Sequence, residues 1–178
     1  MELMLMRMFQ RQVADQCKVT LHGVSLLNHG LQNDNDDTVW IGVQVLLTGA
    51  ANTSKALWGG GRERDKISAE REPLRRSLQV EDSSPLSDVR MRNNFEHYDE
   101  RLDKWWQESP QRLYLDRLLG PPDSVSGFND IDRFRVYDPT THDIVFWSER
   151  FNVQAIATAV SELLPRAEAE MNKPHWET

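Results

Sequence analysis

The side chains best suited to chemistry stand close together: Arg92, Asn93 and His97, within the stretch Arg92-Asn93-Asn94-Phe95-Glu96-His97. An imidazole exchanges protons near neutral pH. A guanidinium grips a phosphate through paired N–H donors and stabilises charge that builds on it. With an amide beside them, these are the parts needed to open a phosphodiester without a metal. If the stretch is helical, a rotation of about 100° per residue puts Asn93 and His97 on one line and Arg92 about 140° round from His97. The same spacing has a plainer reading. Arg92 with Glu96, and His97 with Arg101, stand four apart, the spacing of ordinary surface pairs on a solvated helix.

Other chemistries find less support. His22, His29, His97, His142 and His175 include no pair at H-x-x-x-H spacing, and His22 and His29 are two helical turns apart. No metal site and no cofactor are expected. Cys17 is the only cysteine, so neither an intramolecular disulfide nor a thiolate cluster can form. It reads as a small buried core residue, and the composition suits a reducing, cytoplasmic compartment. Gly59-Gly60-Gly61 is followed by Arg62-Glu63-Arg64, not by Gly-Lys-Ser/Thr. It also follows a helix pattern, not a strand. It reads as a helix end and linker, not a loop that cradles phosphate.

The chain has 178 residues, 39% of them hydrophobic and 28% charged, which suits one soluble globular domain spanning 1–178. A net charge of -7 argues against broad coating of nucleic acid and leaves room only for a small local site. Met1 to Phe9 is rich in Met and Leu but has no preceding basic region and no small-residue cleavage site, so it is not read as a signal peptide. No apolar run approaches a membrane span, and no membrane partner is expected.

Several elements must position the Arg92–His97 stretch. Phe9, Val13, Cys17, Leu21, Val24, Leu27 and Leu31 recur at three- and four-residue steps, predicting a helix over 7–31. A second helix is expected over 38–58, capped by Asp36 or Asp37 and apolar nearly all round. Its small residues Gly49, Ala50, Ala51 and Ser54 permit close approach of a neighbour. Residues 62–76 hold six basic and four acidic side chains, a salt-bridged surface by default, with Pro73 opening a short helix. Ser84-Pro85 predicts the start of one long helix reaching about Glu108, with Met91, Phe95, Tyr98, Leu102 and Trp105 as its buried stripe. Trp105-Trp106 suits either an interface or burial in the fold. After a loop over 111–132 with a short element at 112–119, the runs 133–137 and 143–147 flank Asp138-Pro139-Thr140-Thr141 and predict a β-hairpin. Asn152 caps a last helix carrying Val153, Ile156, Val160, Leu163 and Leu164, which Pro165 kinks or interrupts. The tail after Met171 is expected to fray. The helical core runs about 7–109, and the loop, hairpin and final helix about 110–172.

Arg92-Asn93-Asn94-Phe95-Glu96-His97 resembles the signature of the HEPN superfamily, in which an Arg, usually followed by a polar residue, and a His are separated by four to six intervening residues. Arg90 to His97 and Arg135 to His142 also fit that spacing. Arg92 is preferred because Asn93 follows it and the whole match is helical, whereas the last match crosses Pro139 in a turn. The likeness extends through Ala50 to Trp58 and Leu86 to Trp105, and to the Tyr137-Asp138-Pro139 turn and the Leu163-Leu164-Pro165 helix. There it is similar to a group of uncharacterised bacterial proteins. The resemblance implies a mainly α fold: an antiparallel helical bundle, with a small C-terminal β-hairpin and a final helix. It implies a metal-independent endoribonuclease of toxin or defence type, with His97 as general acid or base, Arg92 on the scissile phosphate and Asn93 beside them. Its implied partners are RNA, a second copy of the chain, and an antitoxin or other protein. Family members without cleavage leave open a dimerisation, partner-binding or nucleotide-binding module. An RNA cleft should be locally basic. Because Glu96, Asp99, Glu100 and Asp103 crowd the motif, Arg62, Arg64, Lys66, Arg71, Arg75 and Arg76 are expected to supply cations by folding over it.

Overall fold

The computed structural model describes residues 1–174 and is mainly helical. Helix α1 (Leu3–Gln32) and helix α2 (Asp36–Trp58) are joined by three residues and pack along each other as an antiparallel pair. Val13, Cys17 and Leu27 are buried, with Phe9, Leu21, Val24 and Leu31 packed at the edge of the same core. Burial pushes the Cys17 thiol up to about 12, so it stays protonated and inert. The two backbones touch. A Cβ added at Gly23 would lie 2.3 Å from the Leu46 nitrogen, and one at Gly42 would lie 2.4 Å from the Leu27 nitrogen. Gly49 meets Thr20 in the same way, as its small size suggested. The cap of α2 is Asn35, whose Oδ1 accepts from Thr38 N at 2.9 Å. Asp36 and Asp37, expected as caps, instead sit in the first turn, where carboxylates favour the helix dipole.

Two short helices follow the glycine run: α3 (Arg64–Glu70) and α4 (Glu72–Ser77), the second with Pro73 in its first turn as expected. The single long helix expected from Ser84 to Glu108 does not form. Ser84 and Pro85 open only a 3-10 turn, Pro85–Ser87, and the rest divides into α5 (Arg90–Glu96) and α6 (Tyr98–Glu108). The break is His97, at φ -100 and ψ 39. Contacts with the rest of the fold flank it. The buried Asn94 amide donates to Glu149 Oε2 at 2.8 Å and accepts from Arg101 Nε at 3.0 Å. Phe95 and Tyr98, either side of the break, both pack on Phe146.

The expected hairpin forms between β2 (Val136–Asp138) and β3 (Asp143–Phe146), as the middle of a four-stranded sheet. β1 (Leu118–Leu119) adds in parallel to β2, and β4 (Glu149–Asn152) adds antiparallel to β3. Asp138 holds the intervening turn by accepting from Thr140 N at 2.9 Å and Thr140 Oγ1 at 2.7 Å. The Thr140 hydrogen bond draws the Asp138 carboxyl below the usual range.

Helix α7 (Val153–Met171) packs against α1 and completes the helical core. Asn152 caps it, accepting from Ala155 N at 2.8 Å. Val153, Ile156, Val160 and Leu163 are buried as expected, but the helix runs through Pro165 without the expected interruption. It ends at Met171, and the remainder of the tail beyond residue 174, with His175, lies outside the described residues. No described helix is long and apolar enough to cross a membrane.

Candidate functional site: a cation-lined cavity beside the helix break

Arg92 and Asn93 sit on α5 with half-buried side chains. The Arg92 guanidinium is only 17% exposed and forms an ion pair with Glu96. Its Nη1 lies 3.4 Å from Asn93 Oδ1, a long hydrogen bond. His97 occupies the break itself. Its side chain is 52% exposed, and Nδ1 lies 3.3 Å from Glu100 Oε1. Both surface pairs are therefore of the ordinary short-range kind, although His97 takes Glu100 and not the expected Arg101. Arg101 is committed to Asn94. The backbone N–H of His97 still donates to Asn93 O at 3.0 Å, so the break falls just after the turn that carries both residues.

The structure gathers different residues around Arg92. A cavity of about 280 Å³ opens between the end of α2, the glycine run and the start of α5, lined by Lys55, Gly59–Gly61, Arg64, Val89, Arg92 and Asn93. His97 is not part of this lining. Three cations and no carboxylate face the cavity, in a chain of net charge -7. The nearby Asp88 is turned to Arg90, 2.7 Å from its Nη2, and that guanidinium holds the Asp88 carboxyl below the usual range.

The six cations expected to cover the motif divide. Arg64 reaches the cavity, where its Nη2 donates to Ser87 O at 2.5 Å. Arg71 and Arg75 turn inward to the end of α2. Arg71 Nη1 donates to Ala56 O at 2.7 Å, with the guanidinium 3.4 Å over the Phe9 ring. Arg75, buried, donates to Leu57 O at 2.9 Å and Ser68 O at 2.8 Å and pairs with Asp82. They satisfy carbonyls that a helix end leaves without intrahelical donors. Arg76 pairs with Glu72 on the surface, and Arg62 and Lys66 are exposed away from the cavity lining. The segment does not fold over the motif as one basic lid.

Two residues that sequence reasoning passed over matter here. Lys55 projects from the last turn of α2 into the cavity, and its only sequence signal was proximity to the glycine run. Asn94, beside the bend, ties α5 to Glu149, 55 residues away, which no local pattern encodes. Of the tryptophan pair, Trp105 joins the fold. Its Nε1 donates to Asp132 Oδ1 at 3.0 Å and its ring packs on Phe134, while Trp106 stays 55% exposed. Arg135 of the rejected Arg135–His142 match is paired with Asp116, as befits a structural role.

No family model, curated protein or solved structure matches this chain.

Proposed function

We propose that this chain is a HEPN-like, metal-independent endoribonuclease of the cytoplasm, working as a homodimer on RNA. The observation that carries the reading is the company Arg92 and Asn93 keep: a carboxylate-free cavity shared with Lys55 and Arg64, one helix turn from an exposed imidazole. Arg92 exchanges Glu96 for the scissile phosphate. His97 takes the proton from a ribose 2'-hydroxyl as its oxygen attacks phosphorus. The new 2'-oxygen–phosphorus bond forms, the bond to the 5'-oxygen breaks, and the His97 of a second copy supplies the proton to that leaving oxygen. The products are a cyclic phosphate and a free 5'-hydroxyl. Asn93 hydrogen-bonds the phosphate, and Arg92 meets the charge that grows on it. Dimerisation answers a specific need, since one imidazole per chain cannot be acid and base in the same step.

Purified protein should cut RNA in excess chelator, and His97→Ala should lower the rate by about a hundredfold or more. Cleavage that survives His97→Ala undiminished would sink the mechanism.

One observation favours a second reading, a non-catalytic HEPN-like module that binds a protein or nucleotide. Arg92 and His97 are each already paired, with Glu96 and Glu100. Tight partner binding with no detectable nuclease, undisturbed by Arg92→Ala, would select that reading.

A further inference from the structure

We propose that the cavity between the end of α2 and α5 is a phosphate seat that reads the backbone of a polyanion without reading its bases. The naming of RNA as that polyanion rests on the ribonuclease reading; the seat itself rests on the cavity.

Four observations converge. Lys55 is exposed on the cavity wall and has no ion-pair or hydrogen-bond partner among the described residues, so its ammonium is available. Arg64 is anchored by a single donated bond to Ser87 O, which orients the guanidinium and leaves its other N–H donors unspent. Among the described residues the Gly60 and Gly61 amides donate to no backbone acceptor, and both line the same space. Gly61 has φ +71, a conformation glycine adopts without strain, and a Cβ there would meet nothing within 4 Å. That residue is therefore a glycine for its backbone geometry and not for want of room.

The end of a helix is ordinarily a poor place for an anion, because its last carbonyls carry partial negative charge. Here that objection is weakened. Lys55 O accepts from Gly59 N, Ala56 O from Arg71 and Leu57 O from Arg75. The inward arginines occupy two of the helix-end carbonyls, and Lys55 and Arg64 are left on the cavity side.

The lining also limits what can bind. A volume of about 280 Å³ accepts one or two phosphoryl groups. Val89 is the one apolar side chain of the lining, and no aromatic ring offers a stacking platform. Base recognition on single strands depends on such rings. The seat thus holds the phosphate flanking the one on Arg92, whatever base it carries.

The test is binding of inorganic pyrophosphate to the full chain, followed by isothermal titration calorimetry in chelator. Wild type and His97→Ala should bind with the same affinity. Lys55→Ala should bind about tenfold more weakly, and Lys55→Arg should restore binding to within about threefold. Unfolding midpoints of the variants are measured alongside, since exposed Lys55 contributes little to stability. No binding by wild type overturns the proposal, and so does Lys55→Ala binding as wild type does. If wild type binds pyrophosphate as expected yet never cuts RNA, the ribonuclease reading fails and the seat stands. If RNA is cut but Lys55→Ala leaves pyrophosphate affinity unchanged, the reverse holds.

Discussion

Arg71 and Arg75 differ from Lys55 and Arg64 in one respect that decides their roles. The first pair turns in against the carbonyls that end α2, and the second lines an open cavity. Arg64, Arg71 and Arg75 belong to one basic segment, and nothing in their residue type separates them. An arginine whose donors are consumed by buried carbonyls is a structural part. A cation with donors to spare beside a concave surface is a binding part. Local charge density is thus a poor guide to an anion site, and the direction of each donor is a better one.

The comparison breaks most visibly in stability. Arg75→Ala leaves two carbonyls without their donor and should lower unfolding free energy by about 2 kcal/mol. Lys55→Ala should cost less than about 0.5 kcal/mol. Denaturant midpoints check both, and equal losses would erase the distinction between inward and outward cations.

A smaller effect concerns salt. Each single-strand phosphate neutralised steepens the dependence of log affinity on log salt by about 0.7. Lys55→Ala should flatten that slope for a short RNA by about this amount, whereas Arg71→Ala, compared while still folded, should leave it alone. Fluorescence anisotropy across a salt series distinguishes the two.

The smallest effect lies at the cavity rim. Asp88 has a depressed carboxyl because Arg90 binds it, so the folded state holds its proton less tightly than the unfolded state. Its contribution is present above the unfolded carboxylate range and fades as pH falls below about 4. For this solvent-exposed pair the contribution is small. Asp88→Asn should remove that part of the acid sensitivity, seen as a slightly flatter stability profile between about pH 5 and 2.

Much of the helical frame was legible in the sequence because its signals are local. The three- and four-residue steps of α1, the apolar run of α2 and the Asn152 cap of α7 each depend on neighbours within a few turns. The turn around Asp138 was legible for the same reason. Strand β4 was not, because Glu149-Arg150 looks like surface and becomes a strand only beside β3. The long helix expected through His97 was a fair reading of local propensity. It differs from the structure beside residues whose partners lie far along the chain, Asn94 with Glu149 and Phe95 with Phe146.

The same division runs through the candidate site. Sequence alone determined that Arg92, Asn93 and His97 share one short stretch, that Cys17 and the scattered histidines offer little, and that any anion site in so acidic a chain must be local. Tertiary structure decided which cations meet Arg92. It brought Lys55 and Arg64 to the cavity, sent Arg71 and Arg75 into the helix end, and put His97 on a bend instead of a straight face. The physical reason is range. Helix propensity and side-chain spacing act over a few residues, whereas a cavity is made by backbones that meet only after the chain has folded back on itself.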